Sequence, residues 1–167
     1  MSSRPILLKV ALVAAALCGA KTALAQTAER GCIELKTVAE VQEAYVDDRG
    51  NAATRLVPAA KVVPGDEVIW TIIANNVCTA PAGDVAITNP VPQHMRYVDS
   101  SAFGPGASIV FSLDGNTFAT PDALVVANAD GSRRQARADE YSAIRWVLPR
   151  PMGPSEQMTV RYRATVL

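Results

Sequence analysis

The chain has 167 residues, of which 49% are hydrophobic and 19% are charged. This share of apolar residues is enough for a packed core and excludes an intrinsically disordered chain. The 16 basic and 16 acidic residues balance to a net charge of zero, which gives no support to a nucleic-acid-binding protein, and the single histidine excludes a site with two histidine ligands.

Residues 1–25 have the pattern of a secretory signal peptide. Two basic residues precede an uncharged apolar run over residues 10–20, which is too short to cross a hydrocarbon core. Residues 23–25, Ala-Leu-Ala, then form a cleavage site. We therefore predict export to the periplasm, the cell surface or the medium, a mature chain that starts at Gln26, and no transmembrane segment after cleavage. An uncleaved N-terminal anchor is the alternative.

Two cysteines remain in the predicted mature chain: Cys32, at the end of a polar lead-in segment over residues 26–32, and Cys78. An even number of cysteines in an exported protein indicates a disulfide. Two free, buried thiols are the alternative. Cleavage also removes three basic residues and no acidic one, so the mature chain has a net charge of −3.

From residue 33 onward, short apolar stretches alternate with turn sequences rich in glycine, proline, asparagine and aspartate. Alternation of apolar and polar residues predicts a strand from Ile33 and a last strand over residues 158–166, each with one buried and one solvated face. Residues 67–74 are apolar on both faces, which predicts a central strand. Shorter strands are predicted over residues 54–57, 84–88, 96–98, 109–113, 117–118, 124–126 and 144–148.

Between these strands, Asp114-Gly115 predicts a hairpin turn, and residues 133–140 read as a charged connection. No stretch shows the periodicity and caps of an amphipathic helix. The sequence therefore predicts one all-β domain over residues 33–167, an antiparallel β-sandwich of about seven to nine strands.

Four short motifs occur in a fixed order along these predicted strands. They are Pro64-Gly65-Asp66 before a strand that ends in Asn75, the turn Pro90-Val91-Pro92, a strand with Trp146, and a last strand from Gly153 to Val166. In this order they resemble the domain of unknown function 11 family, a conserved Ig-like repeat domain of bacterial envelope and surface proteins. The resemblance covers residues 33–167 and implies an Ig-like fold without activity or cofactor. Asn89 departs from the aspartate frequent in that family, and the chain carries one copy of a domain that the family often repeats.

Few residues of the sequence indicate chemistry. His94 lies near serines and an aspartate at residues 99–101, but no nucleophile motif accompanies it, and a histidine in an exposed turn is the simpler interpretation. Residues 114–116, Asp-Gly-Asn, lack the series of oxygen ligands of a calcium loop. We therefore predict that the protein is not an enzyme and has no catalytic residues, no metal site and no cofactor.

One basic cluster is a candidate anion-binding site: Arg133, Arg134 and Arg137. Acidic residues follow directly at positions 139–140, so a solvated charged loop is the alternative. Trp70 and Trp146 lie in apolar runs, which favours core packing over a carbohydrate platform.

These patterns and the resemblance lead to one expectation about function. The chain is predicted to be an exported, non-enzymatic Ig-like module of the bacterial cell envelope with a structural, adhesive or protein-interaction role. Its expected partners are other envelope or surface proteins, and no nucleic acid. The alternative is a module that binds an envelope polymer or glycan through the three arginines.

Overall fold

A computed structural model describes residues 31–167 of the chain. The predicted signal peptide and most of the predicted lead-in segment lie outside the described residues. The described part is all-β, with antiparallel pairing throughout and two 3-10 turns, Pro121–Ala123 and Ala138–Glu140. The strands are β1 (Ile33–Val46), β2 (Ala52–Pro58), β3 (Glu67–Asn76), β4 (Ala86–Pro90), β5 (Met95–Tyr97), β6 (Ser108–Ser112), β7 (Val125–Ala127), β8 (Arg133–Gln135), β9 (Ala143–Val147) and β10 (Gln157–Val166).

The larger sheet has five strands in the order β2-β1-β3-β10-β5. β3 lies at its centre, where its apolar side chains on both faces are buried or half-buried, as its sequence predicts. The register places Ile33 of β1 opposite Asn76 and Gln157 of β10 opposite Asn75. β1 and β10 therefore flank β3 along almost its full length and fix which residues of the three strands share a face.

The smaller sheet has three strands in the order β4-β9-β6 and packs on one face of the larger sheet. The two sheets form a β-sandwich, because alternate residues of each strand point into a common core. β7 and β8 form a separate two-stranded ribbon. The largest side chains in the core are Trp146, Tyr162, Ile72, Ile87, Ile144 and Met152.

Contacts between side chains show which strand of the smaller sheet packs on which strand of the larger sheet. Tyr97 of β5 packs on Phe111 of β6, with ring centroids 5.3 Å apart, and Trp146 of β9 packs on Tyr162 of β10 at 6.3 Å. The Asn89 side chain of β4 donates a hydrogen bond to the Tyr162 hydroxyl at 2.8 Å. In the smaller sheet the order is β6, β9, β4, and in the larger sheet it is β5, β10, β3. Since β6 faces β5 and β9 faces β10, β4 lies on the side of β3. Within the described residues, β1 and β2 extend beyond the smaller sheet.

The segment predicted as a charged connection is partly regular, which corrects the sequence-based expectation. Residues 133–140 contain β8 and the second 3-10 turn. β8 continues into Ala136, which is buried and donates its N–H to the carbonyl of Leu124 at 2.8 Å. Charged residues on an edge ribbon keep their heads in water while the backbone pairs, so charge density alone gave the wrong prediction here. This short ribbon raises the strand count to ten.

Cys32 and Cys78 form the predicted disulfide, with their Cα atoms 5.1 Å apart. The pairing of β1 with β3 explains this proximity. Ile33 stands opposite Asn76, and the Val77 N–H donates to the Cys32 carbonyl at 2.8 Å. The start of β1 is therefore cross-linked to the loop that leads from the larger sheet to the smaller one.

Gly104 lies against the ring of Trp146 in the core, and we expect its replacement by alanine to be destabilising. A Cβ atom at this position would lie 2.5 Å from Cδ1 of Trp146 and 3.1 Å from a methyl carbon of Val160. Overpacking of this kind costs about 1–3 kcal/mol, measured as the loss in free energy of unfolding by urea titration. Gly83→Ala is the matched control, because a Cβ there meets no atom within 4 Å. Equal stabilities of the two variants would contradict the prediction.

Candidate functional site

The inner-facing side chains of β1, together with Val57 of β2, form a surface that the smaller sheet does not cover, the open flank. Its residues are Leu35, Thr37, Ala39, Val41 and Val57. The alternating pattern of β1 predicts a buried apolar face, yet the Leu35 side chain is 49% exposed. The pattern was interpreted wrongly at this point because burial of one face requires a second layer, and three strands cannot cover five.

Trp70 marks the boundary between the open flank and the core. It stands opposite Ala39 in the register and stacks on Tyr162 with ring centroids 6.4 Å apart. Trp70 is half-buried, whereas Trp146 is fully buried, so the predicted core role holds completely for Trp146 alone. The open flank thus adjoins the stacked rings of Trp70 and Tyr162.

β4 is the edge strand of the smaller sheet on the side of β3, and β3 pairs with β1. Leu148 N–H donates to Val85 C=O and Val91 N–H to Ser142 C=O, which shows that odd-numbered residues of β4 bond to β9. Because the ladder alternates, Ala86 and Thr88 direct their backbone N–H and C=O groups away from β9. β4 therefore presents unpaired backbone groups at Ala86 and Thr88.

β1 and β2 continue past the end of the larger sheet as a two-stranded ribbon, the ribbon arm, residues 42–56. Val46 is 69% exposed and Leu56 is 50% exposed on one face, and Tyr45 is exposed on the other. One charge pair of the arm is compensated, since Arg55 contacts Glu43 at 2.7 Å, and Arg55 also lies over the Tyr45 ring at 5.2 Å. A depression of about 550 Å³ lies at the base of the arm.

The three candidate anion-binding arginines do not act as one free cluster in this arrangement. Arg134 is bonded to Glu140 at 2.6 Å and Arg137 to Asp139 at 2.9 Å. Arg133 forms no salt bridge among the described residues. Two of the three charges are thus balanced within the protein, and anion binding by the group stays a prediction.

The other polar residues that the sequence offered as candidates lie in turns or form hydrogen bonds within them. His94 is exposed, with a φ of 63°, in the turn before β5, and the Ser101 hydroxyl donates to the Val98 carbonyl at 2.6 Å. The Asp114 carboxylate accepts hydrogen bonds from the backbone N–H groups of Thr117 and Asn116, each at 2.8 Å, which hold its pKa far below its usual range. In residues 31–167 no three histidine, cysteine or acidic side chains lie close enough to hold a metal ion.

The pairing of Glu140 with Arg134 makes stability depend on pH, and we expect Glu140→Gln to weaken that dependence. Hydrogen bonds from Arg134, then from the Arg137 N–H, lower the pKa of Glu140 from 4.5 to about 2. The folded-state pKa is lowered, so the stabilisation is present above pH 4.5 and is lost as the pH falls toward 2. Urea midpoints across this range measure the effect. Glu34→Gln, at a carboxylate without a salt bridge among the described residues, should leave the slope unchanged, and an unchanged slope for Glu140→Gln contradicts the prediction.

Comparison of the chain with protein-family models, with curated proteins and with solved structures finds no match. The resemblance to the domain of unknown function 11 family therefore stays a prediction. Within residues 31–167 no helix is long and apolar enough to cross a membrane.

The open flank and the ribbon arm were missed by the sequence reasoning. The sequence signal was incomplete: the alternation that starts at Ile33 ends at Gln42, whereas β1 continues to Val46 and has 14 residues against ten in β3. A strand longer than its neighbour must extend beyond it. The length of the partner sheet, which leaves Leu35 exposed, has no such local signal.

Proposed function

We propose that this chain is an exported, non-enzymatic Ig-like module of the bacterial cell envelope whose work is to hold another protein. The observation that carries the proposal is the open flank, where Leu35 of β1 is exposed although its strand has the pattern of a buried face. The unpaired backbone groups of Ala86 and Thr88 on β4 support it. The resemblance to the domain of unknown function 11 family agrees with a structural or adhesive role in the envelope.

Export to the periplasm or the cell surface is supported by two independent features. Residues 1–25 have the charge and hydropathy pattern of a signal peptide. The Cys32–Cys78 disulfide is of a kind that persists in oxidising compartments and is rare in the cytosol.

Strand addition is the mode of binding that the open flank favours. An extended segment placed beside β4 accepts hydrogen bonds from the N–H groups of Ala86 and Thr88 and donates to their carbonyls. Every second side chain of that segment then points toward Leu35, Ala39 and Trp70. The expected partner is an envelope or surface protein that presents an extended segment with alternating apolar residues.

Affinity capture with two matched variants tests this proposal. The exported protein is immobilised and incubated with an envelope extract, and bound proteins are identified by mass spectrometry. Leu35→Glu places a charge in the open flank, and we expect it to lose the bound partner. Val125→Glu makes the same change at an exposed valine of β7, away from the flank, and should retain it. Recovery of nothing by the unchanged protein, or equal recovery by both variants, would count against the proposal.

A further inference from the structure

Four strands lie at the edges of the two sheets of the sandwich: β2, β4, β5 and β6. β5 has three residues, β4 ends in Pro90, which has no N–H, and β6 is bridged by Ala119 through Phe111. β2 has seven residues and carries a proline only at its last position, Pro58. β2 is therefore the longest edge strand of the sandwich, and six of its seven residues precede the proline that has no N–H to offer.

The outer edge of β2 presents a regular row of backbone groups. Ala59 N–H donates to Ala39 C=O at 3.0 Å, which continues the β1–β2 ladder on odd-numbered residues. Hydrogen-bonded pairs recur at every second residue, so Ala52, Thr54 and Leu56 direct their N–H and C=O groups outward. Each of these three residues is exposed.

We propose that two copies of this chain associate by antiparallel pairing of their β2 strands, with Thr54 of each copy on the two-fold axis. Ala52 of one copy then stands opposite Leu56 of the other. Every outward N–H of the three residues meets an outward C=O of the second copy. The two five-stranded sheets become one continuous sheet, and Pro58, which has no N–H to offer, lies outside the paired row.

The distribution of charge and size on β2 favours a second copy in this register. Pairing centred on Arg55 would set two arginines directly opposite each other, which is destabilising. Pairing centred on Thr54 instead sets Arg55 opposite Ala53, while Glu43 compensates the arginine within its own chain at 2.7 Å. The exposed Leu56 stands opposite the small Ala52 of the second copy, so the pair meets no steric conflict.

This inference goes beyond the proposed function, because it concerns the outer edge of β2 and not the open flank. Loss of partner capture leaves the self-association intact, and loss of self-association leaves the open flank and the edge of β4 unchanged. The two proposals therefore fail in different experiments.

A charge exchange at Thr54 tests the register. Thr54→Lys and Thr54→Glu each set like charges opposite each other on the two-fold axis, and we expect either variant alone to raise the dimer dissociation constant by up to about fivefold. An equimolar mixture of the two restores opposite charges, and dimers should return at low ionic strength. Sedimentation velocity of the exported protein over a range of concentrations measures each case.

Thr79→Lys is the matched control, because Thr79 is exposed next to Cys78, which is bonded to Cys32 at the start of β1, whereas β2 pairs with the other end of β1. It should dimerise as the unchanged protein does, and circular dichroism should show the same fold for all variants. The proposal is overturned if the unchanged protein stays monomeric at every concentration. It is equally overturned if the single Thr54 variants dimerise like the control, or if their mixture gains no dimer over either variant alone.

Discussion

Loss of the Cys32–Cys78 disulfide is expected to lower the free energy of unfolding by about 4 kcal/mol. The bond closes a loop of 46 residues that contains β1, β2 and β3, and it restricts the unfolded chain far more than the folded one. The folded sheet keeps the two residues adjacent without the bond, because β1 and β3 pair along nine residue positions beside it. The expected result is thus a less stable protein with the same fold.

Urea titration with and without reductant measures this effect, and the double variant Cys32→Ala, Cys78→Ala provides the control. The variant should match the reduced protein and should not respond to reductant. A free energy of unfolding that stays the same after full reduction would contradict the prediction.

Replacement of Asn76 by alanine is expected to cost about 3 kcal/mol, because the side chain joins two loops inside the sandwich. Asn76 is buried at the end of β3. Its Nδ2 donates to the carbonyls of Ala80 at 2.9 Å, Met152 at 2.9 Å and Gly153 at 3.0 Å, and its Oδ1 accepts from the Cys78 N–H at 3.0 Å. Alanine leaves several of these buried groups without a partner.

The adjacent asparagine supplies the control for this measurement. Asn75 lies on the opposite face of β3 and forms no side-chain hydrogen bond within residues 31–167. Asn75→Ala should change the free energy of unfolding by less than about 1 kcal/mol. Comparable losses in the free energy of unfolding for the two variants would contradict the prediction that the hydrogen bonds of Asn76 stabilise the fold.

Most of the fold was predictable because its signals are local. The apolar run at residues 67–74 predicts a central strand, and β3 takes that position. The cysteine pair predicts a disulfide, and the structure contains it. Two segments differ. Residues 117–118, predicted as a strand, form none, and only an isolated bridge joins Ala119 to Phe111 of β6. In β8, three charged or polar residues pair as a strand although their composition indicates a loop. Its partner β7 was predicted as a strand over residues 124–126, but nothing in the composition of residues 133–135 assigns them to that partner.

The candidate site was much less predictable, because it depends on whether the second sheet covers a given strand. The same alternation of apolar and polar residues buries Val160 in β10 and leaves Leu35 of β1 half exposed. The two strands differ in their position over the smaller sheet and not in their own pattern. In the same way, the salt bridges of Arg134 and Arg137 join partners whose contacts only the folded chain defines.

The sequence by itself excluded a disordered chain and indicated the all-β class, the central strand and the disulfide. These features depend on composition, short-range periodicity and residue chemistry. Only the tertiary structure decided which strands are covered and which edges are free. Coverage is a property of two layers together: three strands pack over β3, β10 and β5, and β1 and β2 are left without a second layer. That imbalance produces the open flank and the unpaired edge of β2, the two surfaces on which both proposals rest.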